Sequence, residues 1–513
     1  RQCGAKLVDD LAQIKMVWVS EEHELGMGRA GTEGFHRLKY KGITPGTSTG
    51  LILAEGKVFA SSSVPSGTVW AETFGIQGLV PGNGAKNAKK QNVTSEQIEA
   101  AKLNSRIDAD DFTVAIDMKT GKTVWKSVEA GKGINVYPGK RSDMHNTPVY
   151  YKGKIFSLGT TGLVYCYDAA TGKKLWEDNT GSDVKPMAAL KAKCLQDRKL
   201  PGGMGKMINP VVAGGVLVMP QYGKGGEIPL RGMDVATGRT LWETADGVTG
   251  HEATPAVWTY QNKQYLVVAN AKGELRMIDP RDGKVLWTVT GIEPTTYALT
   301  TSEKHVFVNV KSKEFDDGFP RTRRCWGRLG AYRITPEKAE FDWATPDTAP
   351  FWYENHKDIC SMRRLVVRDG KVYLGTQRNP HPNNRLHIID ENTGEVLATK
   401  DGPATPQMWA IEDRLLMIPN PSHRQEAKIQ FWTMDPKDFR QIGADYWPEH
   451  ARADAGQLAA GYDVNIELPY ANGFFFMRGY RGTVVCYDLR KTPAMLTTGM
   501  NTGTNLFSEW EKE

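Results

Sequence analysis

Apolar and polar positions alternate in short runs along most of the chain, and Gly, Asn, Asp or Thr interrupts each run. A period of two is the signature of strands, and the interruptions mark turns. One run ends at Ala115, Ile116 and Asp117; Thr120 and Gly121 follow, and Trp125 stands in the next run. The same spacing, Asp to Trp eight positions on, returns at Asp168 and Trp176, Asp234 and Trp242, and Asp279 and Trp287. Weaker copies stand at Asp390, where Ala398 replaces the tryptophan, and at Asp488. Each copy reads as a hairpin, because a Gly in the turn supplies the positive φ that reverses the chain. A second hairpin precedes the copies, with tight turns at Glu55 and Gly56, Lys152 and Gly153, Asp369 and Gly370, and Asn472 and Gly473.

Two hairpins per unit make four antiparallel strands, and a unit repeated around a ring makes a β-propeller. First strands are expected near Thr49, Thr147, Asn209, Thr254, Tyr297, Arg363, Gln407 and Asn465, which makes eight units. The last unit stops at Asp488 without a fourth strand, and residues 14–20, which carry Trp18, resemble the missing one. The expectation is an all-β, eight-bladed propeller of four-stranded antiparallel blades, residues 1–513 as one domain, its ring closed by an N-terminal strand. Each tryptophan is expected to pack between neighbouring blades.

The long connections fall at about 62–111, 179–206, 311–328, 346–361 and 419–428. All of them lie between second and third strands or between blades, so topology sends them to one rim, around the mouth of the central channel. Loops gathered on a rigid scaffold are where binding and catalysis concentrate. Two of these segments read as partly helical: 94–103, with Thr94 and Gln97 spaced as a capping box, and 186–198, rich in Ala, Leu and Lys.

Composition narrows the class. Of 513 residues 40% are hydrophobic and 24% charged, which is globular and not disordered. Lys and Arg exceed Asp and Glu by 65 − 59 = 6, with no basic block, so nucleic acid has no support as a partner. No apolar run approaches the ~18 residues a membrane helix needs. The six cysteines form no CxxC or CxxCH motif, so neither a zinc ribbon nor covalent haem has a signature. Cys166 and Cys486 share one repeat position and read as buried free thiols, whereas Cys325 and Cys360 lie in neighbouring insertions and could pair. Arg1 opens the chain with no charged-then-apolar leader in view, which fits a processed periplasmic or secreted chain.

Candidate chemistry is read where the innermost strands enter from the insertion rim. Ser48, Thr49, His145, Asn146, Asn209, His251, Glu252 and Tyr297 stand there, followed by Arg363, Arg364, Gln407, Trp409, Tyr462, Asp463 and Asn465. Histidine and tyrosine can exchange protons, and arginine can hold a carboxylate. His145, His251, Tyr297 and Arg363 are therefore the catalytic candidates, and Asn209, Glu252, Arg364, Trp409 and Asp463 the binding candidates. None has the spacing of a metal set. Hydrogen-bonded structural histidines, and Arg363 paired with Asp463 or Glu252, are the alternatives.

The pattern from Ala115 to Trp125 resembles the tryptophan-docking repeat of the quinoprotein (PQQ-type) alcohol dehydrogenase-like propellers, a superfamily that also holds non-enzymatic outer-membrane assembly scaffolds. The resemblance implies the fold and a possible oxidoreductase with PQQ and calcium. In such enzymes a glutamate and an Asn-Pro asparagine hold the ion; here Glu252 and the pair Asn209, Pro210 resemble them. The adjacent cysteine pair and the Trp-Asp motif of those enzymes are missing from this sequence. Three readings stay open: a small organic or carbohydrate ligand at the channel mouth, with or without oxidoreductase chemistry; a lyase on uronic-acid polymers; and a protein-binding scaffold docking partners through the insertion loops. In the lyase, Arg363 or Arg364 would neutralise the sugar carboxylate while His145, His251 or Tyr297 moves the proton.

Overall fold

Tight hairpins set the unit. Glu55 and Gly56, Lys152 and Gly153, Asp369 and Gly370, and Asn472 and Gly473 all have positive φ, the geometry of a two-residue turn that matches strand twist. The computed structural model describes residues 4–25, 50–69, 106–136, 147–179, 208–221, 228–250, 253–295, 299–311, 324–346, 351–354, 365–376, 385–402, 407–418, 429–446, 469–478 and 483–491.

The first strand, β1 (Lys15–Val19), belongs to the last blade. Blade 1 is β2 (Ile52–Ala54), β3 (Lys57–Val69), β4 (Arg106–Asp117) and β5 (Thr123–Val136). Blade 2 is β6 (Val149–Tyr151), β7 (Lys154–Leu158), β8 (Leu163–Asp168) and β9 (Lys174–Asn179). Blade 3 is β10 (Val211–Ala213), β11 (Val216–Pro220), β12 (Leu230–Asp234) and β13 (Thr240–Glu243). Blade 4 is β14 (Ala256–Tyr260), β15 (Lys263–Ala269), β16 (Glu274–Ile278) and β17 (Val285–Thr290). Blade 5 is β18 (Thr300–Thr301), β19 (His305–Lys311), β20 (Arg324–Ile334) and β21 (Ala339–Ala344), with β22 (Phe351–Glu354) added beside β20. Blade 6 is β23 (Val366–Arg368), β24 (Lys371–Thr376), β25 (Arg385–Asp390) and β26 (Val396–Asp401). Blade 7 is β27 (Gln407–Ile411), β28 (Arg414–Ile418), β29 (Ile429–Thr433) and β30 (Gln441–Tyr446). Blade 8 is β31 (Tyr470–Ala471), β32 (Phe474–Arg478) and β33 (Val484–Asp488), completed by β1.

The expected ring of eight four-stranded blades is therefore present, and β1 pairs antiparallel with β33 as the repeat pattern requires. Sealing the last blade with the first strand removes an unpaired sheet edge. Two insertion boundaries differ from expectation. Residues 62–69 and 106–111 are strand, because β3, β4 and β5 run on together beyond the blade. Residues 351–354 are also strand and pair with 324–327, which ties the fourth expected insertion to the third. The expected helices at 94–103 and 186–198 lie outside the described residues.

The tryptophans do what their spacing predicts. A β-bulge just before each one turns the indole toward the next blade. Trp18, Trp125, Trp176, Trp242, Trp287 and Trp343 each donate Nε1–H to the carbonyl just past the third strand of the following blade: Met118, Ala169, Val235, Pro280, Thr335 and Glu391. Two junctions lack the indole and solve the same problem differently. Where Ala398 stands in blade 6, the Tyr373 hydroxyl donates to the equivalent Met434 carbonyl at 3.1 Å. At blade 8 the backbone N–H of Val8 donates to Leu489 O at 2.9 Å, and Leu7, Val8, Leu11 and Ile14 fill the apolar gap. Every blade thus has this carbonyl satisfied. Tyr373→Phe is expected to cost about 1 kcal/mol, read as a lower urea midpoint with an unchanged slope; an unchanged midpoint would remove Tyr373 from this role.

Cys166 and Cys486 are buried and free, as their shared repeat position suggested. Burial pushes the Cys166 thiol up to about 12, so it is inert at neutral pH.

Candidate functional site

Strand direction decides which rim can carry a site. Tight turns join first to second and third to fourth strands, so second-to-third and blade-to-blade connections all leave at the opposite rim. At that rim the innermost strands begin, and there the structure has a belt. Gly50 N–H donates to Thr147 Oγ1 at 3.0 Å, Thr147 N–H to Asn209 Oδ1 at 2.8 Å, and Asn209 N–H to Thr254 Oγ1 at 3.0 Å. Each bond runs from one blade to the next. Proline follows Thr147, Asn209 and Thr254 alike. It has no N–H of its own and holds the preceding residue extended, so that residue's polar side chain can bridge blades. That recurring Thr-Pro or Asn-Pro pair was the signal for the belt.

Asn209 therefore stands in this structure as the middle member of a structural series of three, Thr147, Asn209 and Thr254. Its carboxamide oxygen is already engaged by Thr147, and the chain has no adjacent cysteines. Among the described residues no three His, Cys, Asp or Glu side chains converge as a metal cage. The described residues do not fit a calcium–quinone pair. Trp409, the other described candidate, lies edge-on to Phe475 of blade 8, with ring centroids 6.0 Å apart. His145, His251, Glu252, Tyr297, Arg363, Arg364 and Asp463 lie outside the described residues, as do Ser48, Thr49, Asn146, Tyr462 and Asn465.

A cleft opens at the same rim between blades 4, 5 and 6. Ile292, Glu293, Leu299, Phe307, Asn309 and Leu365 line it, with Thr295 and Thr300. Thr300 pairs with Phe307, so Asn309 lies beyond the β18–β19 pairing, toward the insertion rim. Phe307 and Asn309 share one face of β19, and Phe307 packs in the cluster that holds Leu365. Asn309 is only 5% exposed, yet its Oδ1 has no hydrogen-bond partner. A buried amide oxygen left without a donor costs about 1–3 kcal/mol. Such a group calls for a partner that the protein's own side chains do not supply, and a single ordered water is enough to be one. In the sequence it was one polar residue in an alternating strand, with nothing to distinguish it.

A second unforeseen group joins blades 1 and 2. Ser63, Asp111 and Glu129 stand opposite one another across β3, β4 and β5, and all three are buried. Thr160, in the turn between β7 and β8, gives Asp111 its N–H at 3.1 Å and its hydroxyl at 2.7 Å. Tyr165 reaches Asp111 at 3.5 Å, and Tyr167 donates to Glu129 at 3.2 Å. Lys132 and Lys174 bind Glu129 at 3.1 and 2.8 Å. Desolvation pushes the Asp111 carboxyl up to about 6 against the pull of those donors. Glycine at 133 and 159 is required here, since a Cβ on either would collide with the Asp111 carboxylate.

On the opposite rim His305 sits buried between Asp342, 2.8 Å from Nε2, and Glu391 of blade 6, 3.5 Å from Nδ1. This is a clasp between blades 5 and 6. The buried ring of His387 is held at 3.0 Å from Thr399 Oγ1, and burial lowers it to about 3, so it stays neutral.

The repeat, the ring and the docked indoles define a PQQ-like β-propeller. A family model described as outer membrane protein assembly factor BamB matches residues 110–400. That is more than half of the chain, and the protein belongs to this family. A curated relative, the BamB of Kangiella koreensis, is 22% identical over 171 residues, which cover 33% of this chain and 36% of that one. The match thus spans about a third of the curated relative's length. Among solved structures, BamB from Moraxella catarrhalis is 12% identical with a TM-score of 0.45, covering 74% of this chain and 91% of that one. A quinohemoprotein alcohol dehydrogenase from Comamonas testosteroni is 13% identical with a TM-score of 0.42, covering 90% and 80%. A europium-containing methanol dehydrogenase is 12% identical with a TM-score of 0.41, covering 82% and 87%. Likenesses this loose say nothing about activity.

Proposed function

We propose that this propeller is a periplasmic or secreted binding protein that holds a small organic or carbohydrate ligand where its insertion-bearing rim meets the channel. The observation that carries the reading is the rim cleft, with a buried Asn309 oxygen that lacks a donor. Chain connectivity supports it. Arg363 and Arg364 directly precede Leu365, and Tyr297 stands two residues before Leu299, so three candidates adjoin residues that line the cleft. An arginine there would hold a carboxylate by paired charge-assisted bonds.

Calorimetric titration with small organic acids, uronic acids and neutral sugars tests this. Arg363→Ala and Arg364→Ala are expected to weaken the carboxylate-bearing ligands roughly tenfold or more, since a hydrogen bond to a charged group contributes about 1.5–3 kcal/mol. Lys152→Ala, in a tight turn on the other rim, is expected to leave affinity unchanged. If nothing in the panel binds, the reading falls.

A second reading has its own support. The family's description names an outer-membrane assembly factor, so protein partners at the insertion loops are the scaffold alternative. No helix among the described residues is long and apolar enough to cross a membrane. Capture of an outer-membrane assembly protein by the intact chain, with no small ligand bound, would favour the scaffold.

A further inference from the structure

We infer that the rim ribbon of blade 1 is latched onto blade 2 through Asp111 and that the proton on this carboxyl works the latch, closed when Asp111 is neutral and ready to open when it is charged. The inference concerns another part of the insertion rim than the cleft and needs no ligand there.

Past the blade itself, β3, β4 and β5 run on as a three-stranded ribbon, with Val69 opposite Ile107 and Arg106 opposite Val136 at its far end. The turn between β7 and β8 lies against its base. Thr160 gives its N–H and its hydroxyl to Asp111, and the Thr161 hydroxyl donates to Lys132 O at 2.9 Å. Gly133 of the ribbon and Gly159 of the turn press on the same carboxylate, with no space for a Cβ on either. Asp111 is thus the part of the ribbon on which the turn closes. It is 3% exposed, and among the described residues no cation pairs with it; Lys132 and Lys174 pair with Glu129 and Glu177 instead. Ser63 stands directly opposite Asp111 in the β3–β4 pairing, so their side chains share a face. It is fully buried, and its hydroxyl has no partner. A neutral Asp111 has an O–H to give to Ser63, whereas a charged one is an acceptor only.

A carboxylate charged in such a place has two ways back to water: unfolding of the ring, or separation of ribbon and turn. The second is the smaller change. It breaks the Thr160 and Thr161 bonds but leaves the strand pairing of both blades, the docked Trp125 and the core around Phe59 in place. The charged and titratable groups around Asp111 are Glu129 and Lys132 of β5, Tyr165 and Tyr167 of β8, and Lys174 and Glu177 of β9. Desolvation holds the closed carboxyl at about 6, and an opened one returns toward 3.8. The closed form therefore holds the proton more tightly. Closure is most stable below pH 3.8, weakens as pH rises to 6 and levels off above it, by on the order of a hundredfold at most in the opening equilibrium.

The test is amide hydrogen exchange of the intact chain between pH 4.5 and 8, read by mass spectrometry and corrected for the intrinsic rate at each pH. Protection of 107–112, 129–135 and 159–163 is expected to fall roughly tenfold or more from pH 4.5 to 7 and little further to pH 8. Protection of 256–269 in blade 4 is expected to stay constant. Asp111→Asn is expected to abolish the fall in the three segments. Ser63→Ala is expected to lower their protection at pH 4.5 and to leave it unchanged at pH 7. A fall shared with blade 4 would mean unfolding of the whole ring, and a fall that survives Asp111→Asn would mean another titrating group; either overturns the latch. So does protection that stays flat in the unaltered chain, a result that decides the case even where a variant fails to fold. Loss in Ser63→Ala at pH 7 alone would show Ser63 donating to the charged form, which reverses the direction assigned and also overturns it.

Discussion

Replacement of Trp125 by alanine is expected to destabilise the ring by about 4 kcal/mol or more, the largest effect of any single change proposed for this protein. Three costs act together. The buried indole leaves a cavity between Phe59, of its own blade, and Tyr167 of the next, and truncating an aromatic in a core costs about 3–5 kcal/mol. The Ala169 carbonyl loses its donor at 3.1 Å. Gly172, whose φ is +72 and whose notional Cβ lies 2.5 Å from the indole, loses the plane it packs against. The control is the adjacent Val124, 45% exposed on the same strand, where alanine is expected to change stability by less than about 0.5 kcal/mol. Urea unfolding followed by far-ultraviolet circular dichroism reads both. A Trp125→Ala chain as stable as the Val124→Ala chain would show that the docked indoles are not what joins the blades.

The second large effect depends on pH. The Asp111 carboxyl lies at about 6 in the folded chain, against 3.8 ordinarily, with desolvation the leading cause. Its folded value is raised, so the folded chain holds the proton more tightly than the unfolded one. The stabilisation from Asp111 is complete below pH 3.8 and is lost as pH rises through 6. Over that window the difference amounts to about 3 kcal/mol. The groups that face it are Glu129, Tyr165, Tyr167, Thr160 and Ser63, with Lys132 and Lys174 on Glu129. Asp111→Asn removes the charge and keeps an oxygen for the Thr160 donors. It is expected to raise stability at pH 7 by about 2–3 kcal/mol and to do little at pH 4, so that its stability profile is flatter between those values. A variant less stable than the parent at pH 7 would mean that the carboxylate is needed where it stands, through its bonds to Thr160. Thermal denaturation across pH 4–8 distinguishes the two.

These two predictions draw on different layers of legibility. The Trp125 junction was written in the chain: Asp117, Gly121 and Trp125 recur at fixed spacing, and the recurrence itself pointed to a packing role. Asp111 was not. It ended the expected insertion at 62–111, and only the continuation of β3, β4 and β5 put it in a row with Ser63 and Glu129. Its donors come from Thr160 and Tyr165, 49 and 54 positions away. Asn209 lies between these cases. Its Asn-Pro pair was visible, but the parallel with Thr147 and Thr254 became meaningful only when the three were found bridging successive blades. Asn309 carried no signal at all. A single asparagine among valines in β19 is ordinary until its oxygen is found buried and without a partner.

By itself the sequence determined the hairpins, their number, the order of strands within each blade and the rim at which long connections leave. These follow from period-two alternation, positive-φ turn residues and spacings of a few positions, all local properties of the chain. Only the tertiary structure decided which polar groups meet. Tyr373 stands in for the absent indole at Ala398, Val8 satisfies the eighth carbonyl, Asp111 is sealed between blades, and Asn309 keeps a buried oxygen without a donor. The reason is geometric: in a ring of blades, each interface joins residues tens to hundreds of positions apart, and no local pattern encodes which of them the closed ring will bury.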